Sequence, residues 1–149
     1  MSKIVVGVDG SAESLAALRW AAHEARLRGA RLCVVHAWFM PMVFTSGPPL
    51  LVLPETREEL EGEGAKVLSH ALEAVADDVE GLTLERSVVE GSAAHCLLRA
   101  AQGADLLVLG SRGHGGFHGL LLGSVSQQCA QHAPCPVVIV RPARRPQSS

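Results

Sequence analysis

Short apolar runs alternate with longer amphipathic stretches along the chain. Five runs rich in Val, Ile and Leu predict β-strands at residues 3–9, 31–37, 82–89, 105–110 and 136–141. Between these runs, apolar residues recur at helical spacing. That spacing predicts helices over about 11–28, from 56 onward, over 92–101 and over about 124–132. The alternation of strands and helices predicts a parallel sheet with helices on both faces.

Residues that begin and end helices border the amphipathic stretches. Ser11 precedes the first helix and Gly29 follows it, as an N-cap and a C-terminal glycine do. Thr56 followed by Glu59 is the pattern of a capping box, which predicts a helix start there. Ser124 is expected to be the N-cap of the last helix.

Two predicted strands are followed by glycine and small polar residues. They are the first strand, followed by residues 9–11 (Asp-Gly-Ser), and the fourth, which ends in residues 110–113 (Gly-Ser-Arg-Gly). If the sheet reverses between them, the strand order is 3-2-1-4-5. Ligands of open α/β sheets bind beyond the strand carboxyl ends at such a reversal. We expect one domain over residues 1–142 and a short polar tail over residues 143–149.

Composition and charge limit the class of protein. The 149 residues are 48% apolar and 19% charged, which excludes a disordered chain. The formal net charge is −2 and the arginines are scattered, so no nucleic-acid surface is expected. The apolar runs are too short to cross a membrane, and no signal peptide is expected. Four cysteines without a C-x-x-C spacing predict reduced thiols in a cytoplasmic protein.

A glycine-rich segment at residues 110–126 has the features of an anion site. Gly110 and Gly113 leave the fourth strand without Cβ atoms, so backbone amides can approach an anion closely. Gly123 then precedes a helix whose free N–H groups and positive dipole end suit a phosphate. Three side chains could add donors: Arg112, Ser124 and Ser126.

Other nucleotide and catalytic motifs do not fit this segment. A Walker A loop needs Gly-Lys-Ser/Thr, and no lysine is near; a G-x-G-x-x-G pattern fails because its sixth position is His118. No G-x-S-x-G turn exists for a serine hydrolase. His114 and His118 are four residues apart, but their flanking glycines disfavour the helix that a metal pair would need. Their role is open between phosphate contact and solvent exposure.

The glycine spacing G-x2-G-x9-G-S resembles the nucleotide motif of the universal stress protein family. Further segments resemble that family's first strand and turn, its second strand, its nucleotide loop and its final strand. They are residues 4–11, 34–37, 110–113, 121–126 and 133–140. Because these motifs stand in order on matching elements over nearly the whole chain, it is identified as a member of this family.

The resemblance implies a Rossmann-like fold that binds ATP, or AMP or ADP, at the sheet reversal. Mg²⁺ would be held by the phosphates near Asp9, with no metal ligand assigned. Asp9 would lie by the ribose, Val35 would offer backbone groups to the adenine, and residues 123–126 would hold the phosphates. The implied site is Asp9, Gly10, Ser11, Val35, Gly110, Arg112, Gly113, Gly123, Ser124, Val125 and Ser126.

Simpler roles stay open for several of these residues. Asp9 could only order the turn or cap the first helix, and Arg112 could be an ordinary surface arginine. Trp38, Phe39 and Met40 suit packing, although the stretch 38–44 could cover an adenine.

Three functions compete on this sequence. The first is a cytosolic ATP- or AMP-binding stress-response protein that acts through its nucleotide state and protein partners. The second is a slow ATPase or nucleotidyl-transfer enzyme, and the third is a scaffold that uses no nucleotide. Hydrolysis needs a base, a metal and charge-stabilising donors. Asp9 is the nearby carboxylate and no lysine clamps the phosphates, so slow turnover at best is expected.

The last strand lies at a sheet edge in the order 3-2-1-4-5. Its middle is apolar, β-branched and without lysine: Val137, Val138, Ile139 and Val140. Such an edge favours pairing with another strand. We expect a homodimer in which this strand pairs with its copy across a two-fold axis, and the resemblance implies the same.

Overall fold

The computed structural model describes residues 2–39, 56–112 and 122–141. In this part of the chain, five strands form one open sheet in the order β3-β2-β1-β4-β5, and all neighbours are parallel. The predicted order 3-2-1-4-5 is therefore confirmed. The strands are β1 (Lys3–Gly7), β2 (Arg31–Trp38), β3 (Leu84–Glu90), β4 (Leu106–Gly110) and β5 (Val137–Val140).

Several predicted strand ends were wrong by one or two residues. β1 ends at Gly7, although the Val8 N–H still donates to the Val35 carbonyl oxygen at 2.9 Å. β5 begins one residue after Pro136, which has no N–H for the ladder. β3 runs later than predicted, because the N–H of Leu82 closes a turn on the carbonyl of Val79. The strand predicted over 105–110 begins one residue later, and that over 31–37 ends one residue later.

The helices begin at the predicted caps with one exception. They are α1 (Ala12–Arg28), α2 (Arg57–Ala74), α3 (Ala76–Val79), α4 (Ala93–Ala100) and α5 (Ser124–His132). Gly29 ends α1 with φ +62°, and Thr56 with Glu59 forms the full capping box of α2. The N-cap of α5 is Gly123 rather than Ser124, because the backbone is still extended at 123 and helical from 124. The short α3 was not predicted.

The core lies in two layers, one on each face of the sheet. On one face, α1, α2 and α3 cover Ile4, Val6 and their neighbours. On the other, α4 and α5 cover Val5, Leu107 and the rest of a smaller cluster. The central strand β1 is fully buried from residue 4 to residue 6, as expected of a strand covered on both sides. The doubly wound arrangement with helices on both faces is confirmed.

Some predictions fall outside the described residues. They concern Gly113, His114, His118, most of the predicted loop over 38–54, and the tail over 143–149. No helix in the described ranges is long and apolar enough to cross a bilayer.

Candidate functional site

A cavity of about 420 Å³ opens at the carboxyl ends of β1 and β4, where the strand order reverses. Its size is in the range of small-molecule sites. Eight of the eleven residues predicted to border a nucleotide line it. They are Asp9, Val35, Gly110, Arg112, Gly123, Ser124, Val125 and Ser126. The fold therefore gathers residues that are more than a hundred positions apart in the sequence.

Two further predicted residues, Gly10 and Ser11, are described by the structure and do not line the cavity. Gly10 is exposed, and its φ of +85° lets the chain turn sharply after β1. Ser11 is buried, and its hydroxyl accepts the N–H of Ser14 as the N-cap of α1. Both residues thus shape the turn behind the cavity wall. Gly113 lies outside the described residues.

Hydrogen bonds hold Asp9 in place at the cavity. Its Oδ1 accepts the N–H of Ser11 at 2.9 Å, and its own N–H donates to Ser14 Oγ at 3.2 Å. The Ser14 hydroxyl in turn donates to the Ser11 carbonyl at 3.0 Å. Asp9 therefore orders the turn, as the simpler interpretation proposed, and also lines the cavity. These two roles are compatible because a carboxylate has several acceptor positions.

The start of α5 forms the opposite wall. Its first helical bond runs from the N–H of Gln127 to the Gly123 carbonyl, so the N–H groups of residues 124–126 precede the ladder. Gly123 caps the helix without a side-chain hydrogen bond. Unpaired N–H groups and the positive dipole end of a helix attract anions. This is the part of the cavity that suits a phosphate.

Two hydrogen bonds fix α5 against β4. The Ser126 hydroxyl donates to the Gly110 carbonyl at 2.7 Å, and the Gly123 N–H donates to the Ser111 carbonyl at 2.7 Å. The single hydroxyl proton of Ser126 is thus used within the protein. Its contribution to an anion would come from its backbone N–H, which corrects the expectation of a hydroxyl donor.

The β2 wall differs from the expectation for Val35. Val35 is 2% exposed, and its carbonyl already accepts the N–H of Val8 at 2.9 Å. Ala37, two residues further along the strand, also lines the cavity and is less buried. Its backbone groups point to the same side as those of Val35, beyond the end of β1. Ala37 is therefore the better placed of the two to offer backbone groups to a ligand.

The sequence did not indicate seven of the lining residues. They are Gly7, Val8, Ser14, Ala37, Ala93, Leu97 and Leu109. Phe39 also lines the cavity and belongs to the stretch 38–44 that could cover an adenine. Most of the seven are apolar and form the floor between the sheet and α4. The alternation along β2 was the available signal for Ala37, because side chains two apart share a face. No such local pattern marks the residues of α4.

The described residues contain no group of three or more His, Cys, Asp and Glu side chains that could hold a metal ion. Asp9 and Arg112 contribute charged side chains to the cavity.

The chain matches a family model described as the universal stress protein family over residues 1–141. Universal stress protein YxiE of Bacillus subtilis is 37% identical over 148 residues, covering 94% of this chain and 99% of that protein. A universal stress protein of Mycolicibacterium smegmatis is 38% identical over 142 residues, covering 92% of this chain. The chain spans 47% of that mycobacterial relative, about half its length.

Solved structures with similar folds include nucleotide complexes. Universal stress protein UspA from Lactobacillus plantarum has a TM-score of 0.72 at 25% identity, over 94% of this chain and 97% of that one. A universal stress protein in complex with cAMP has a TM-score of 0.70 at 28% identity, over 94% and 96%. A third, from Archaeoglobus fulgidus in complex with dAMP, has a TM-score of 0.67 at 26% identity, over 93% and 97%.

Proposed function

Because this chain belongs to the universal stress protein family, we propose that it binds an adenine nucleotide and regulates stress responses through its nucleotide state and protein partners. The observation that carries this proposal is the cavity, which brings together Asp9 and the start of α5, where Gly123 caps the helix without a side-chain hydrogen bond. Similar proteins in complex with cAMP and dAMP support the adenine nucleotide class. ATP, ADP and AMP are the candidates for this chain. Its cytoplasmic location stays a prediction, consistent with four free thiols.

The chemistry of the walls suits the parts of a nucleotide. N–H groups of residues 124–126 and the guanidinium of Arg112 suit the phosphates. The carboxylate of Asp9 can accept hydrogen bonds from ribose hydroxyls. The apolar β2 side, with Val35 and Ala37, suits the face of a base. Mg²⁺ would be held through the phosphates and would screen their charge.

Binding rather than rapid hydrolysis is the proposed activity. Hydrolysis would need a base to activate water, and Asp9, whose Oδ1 accepts the N–H of Ser11, is the carboxylate among the residues that line the described cavity. The described lining residues include no lysine to clamp the phosphates. We expect any phosphate release to be far slower than the roughly 10 s⁻¹ of a median enzyme.

We also propose a homodimer through the β5 edge. The two sheet edges differ in chemistry: β3 carries Glu85 and Glu90, each in an ion pair with an arginine, whereas β5 consists of four half-buried aliphatic residues. Charged side chains protect an edge from pairing, and an aliphatic edge favours it. A two-fold axis would bring the apolar rows of two β5 strands together.

The nucleotide proposal is tested by calorimetric titration with AMP, ADP, ATP and cAMP, after native mass spectrometry for a nucleotide that co-purifies. Gly123→Val should abolish binding, since its side chain would stand at the anion wall. Gly123→Asp is the sharper variant. Aspartate is a preferred N-cap, so it should preserve or raise thermal stability while its charge repels phosphate.

Gly62→Val is the matched control, because a Cβ at this exposed α2 glycine meets nothing within 4 Å. It should bind like the wild type. Wild-type affinity in folded Gly123→Asp would show that the anion site is elsewhere. Absence of binding by the wild-type chain to every adenine nucleotide tested would refute the proposed function itself.

A further inference from the structure

Three residues at the end of β2 and just beyond it form a row along the cavity, in which exposure increases along the chain. Val35, Ala37 and Phe39 alternate along the chain, so their side chains share one face, and all three line the cavity. Val35 is 2% exposed and lies at the floor. Phe39 is 70% exposed, so its ring lies at the open rim with most of its surface uncovered.

The backbone that leads to Phe39 is held in place. The carbonyl of Trp38 accepts the N–H of Gly91 at 2.7 Å, and this carbonyl belongs to the peptide unit that joins Trp38 to Phe39. Trp38 is also paired with Glu90 in the β2–β3 register. The end of β3 therefore fixes the plane of the peptide from which Phe39 projects.

The side chain of Trp38 is held on the opposite face of the sheet. The Arg57 guanidinium lies 5.9 Å from the centre of the Trp38 ring, within reach of a cation–π contact, and also pairs with Glu90. Gly64 of α2 lies against this ring, since a Cβ built there would be in van der Waals contact with Trp38 Cδ1 at 3.4 Å. Because successive side chains point to opposite faces, fixing Trp38 towards α2 directs Phe39 towards the cavity.

An exposed aromatic ring at a cavity rim differs from exposed apolar side chains elsewhere. Leu27 is 81% exposed on α1 and does not line the cavity. In the sheet, β1 separates β2 from β4, so β2 and β4 lie two strand spacings or about 10 Å apart. Phe39 follows β2 and the start of α5 packs against the end of β4, so the two line different sides of the cavity. A planar base held against the Phe39 ring would bury aromatic surface that now contacts water.

We propose that Phe39 stacks on the base of the bound nucleotide and makes the site prefer nucleotides to ribose phosphates that lack a base. This inference rests on the proposed function. Stacking of a base on an aromatic side chain is sensitive to removal of the ring and tolerant of exchange for another ring. Trp38 then positions the ring of Phe39, and Arg57 and Glu90 act on the nucleotide indirectly, by holding Trp38 in place.

The test compares Phe39→Leu, Phe39→Trp and wild type in calorimetric titrations with AMP, and with ribose 5-phosphate as competitor. Phe39→Leu keeps an apolar side chain but removes the ring, so it should weaken AMP binding by about tenfold. Ribose 5-phosphate should compete equally well in all variants. Phe39→Trp should bind AMP like the wild type. Leu27→Ala, which also alters an exposed apolar residue, is the control and should change neither ligand.

Proton NMR of AMP supplies a second readout that a structural role of Phe39 would not change. Stacking on a ring shifts the H2 and H8 signals of the base upfield, and this shift should be lost with Phe39→Leu. Arg57→Gln as a single substitution should reduce AMP affinity. Added to Phe39→Leu it should have no further effect, because both substitutions act on the contact between the Phe39 ring and the base.

Equal AMP affinity and equal upfield shifts in wild type and Phe39→Leu would overturn the inference. So would an equal loss of AMP and ribose 5-phosphate binding, which would indicate a general distortion of the cavity. In both cases wild-type AMP binding would persist, and the proposed function would stand. Only a wild-type chain that binds no adenine nucleotide would refute both the proposed function and the inference about Phe39.

Discussion

A Cβ atom on Gly110 would lie 2.9 Å from both the carbonyl carbon and the carbonyl oxygen of Glu13. The first turn of α1 therefore crosses the end of β4 at a distance that a side chain would prevent. The sequence suggested that Gly110 lacks a side chain so that an anion can approach. The structure gives a second reason, because helix packing against the strand end requires the glycine at this position.

We expect Gly110→Ala to lower the free energy of unfolding by about 1–3 kcal/mol, since backbone atoms of Glu13 cannot move aside as a flexible side chain could. Urea denaturation measures this change. Gly62→Ala is the control, because its Cβ meets no neighbour, and it should be neutral or stabilise α2 by up to about 1 kcal/mol. Equal unfolding midpoints for Gly110→Ala and wild type would contradict the close approach of α1.

Asp9 can be tested with two substitutions that separate its roles. Asp9→Asn keeps an acceptor oxygen for the Ser11 N–H, now at 2.9 Å, and removes the charge. It should retain stability and weaken nucleotide binding. Asp9→Ala removes the acceptor as well, so it should also lose about 1 kcal/mol of stability. Thermal denaturation and calorimetry measure the two effects. A site in which Asp9 only orders the turn would leave the affinity of folded Asp9→Asn unchanged.

The proposed dimer can be tested at the outer side of β5. The carbonyls of Pro136 and Val140 accept hydrogen bonds from β4. Because the backbone groups of successive strand residues point to opposite sides, the N–H of Ile139 points away from β4 to the open edge. Ile139→Pro removes that donor and leaves the β4 ladder intact. Light scattering should then give the chain mass of 15.7 kDa in place of twice that value.

The matched control for the dimer is Arg86→Pro on the other edge. The carbonyl of Thr83 accepts a hydrogen bond from β2. Since backbone groups alternate in direction along a strand, the N–H of Arg86, three residues later, points away from β2 to the open edge. This variant should remain dimeric. A wild-type chain that is monomeric at high micromolar concentration, or an Ile139→Pro variant that stays dimeric, would argue against pairing through β5.

A pH dependence follows from the buried thiol of α5. Burial raises the pKa of Cys129 from its ordinary 9.0 to about 11. The unfolded chain therefore releases this proton at lower pH than the folded one. The resulting stabilisation is complete below pH 9 and is lost as the pH rises towards 11.

Cys129→Ala should remove part of the loss of stability between pH 9 and 11, on the order of 2 kcal/mol. Urea denaturation at pH 9 and at pH 11 measures how much the free energy of unfolding falls over this range. This difference does not depend on the stability that the smaller side chain loses equally at both pH values. Burial also raises the pKa of Cys33, so some dependence should remain. An unchanged difference in Cys129→Ala would contradict the raised pKa.

Local sequence patterns determined most of the architecture. Runs of Ile, Val and Leu identified β1 and β4 because a strand covered on both faces must be apolar throughout. The helix ends were marked by Ser11, Gly29 and Thr56. Such residues satisfy the backbone N–H or C=O groups that have no hydrogen-bond partner within the first or last turn of a helix. Small residues after two strands were enough to infer the reversal and the place of a cavity.

Only the tertiary structure decided which residues share that cavity. Ser14 and Leu97 carry no local signal of a site, since their place depends on how α1 and α4 cross the sheet. Gly110 is required by the close approach of Glu13, almost a hundred residues away in the chain. Phe39 could be distinguished from a packing residue because the structure fixes its neighbour Trp38 on the opposite face of the sheet. Periodicity and caps record interactions between near neighbours in the chain, whereas a site depends on contacts between elements that only folding brings together.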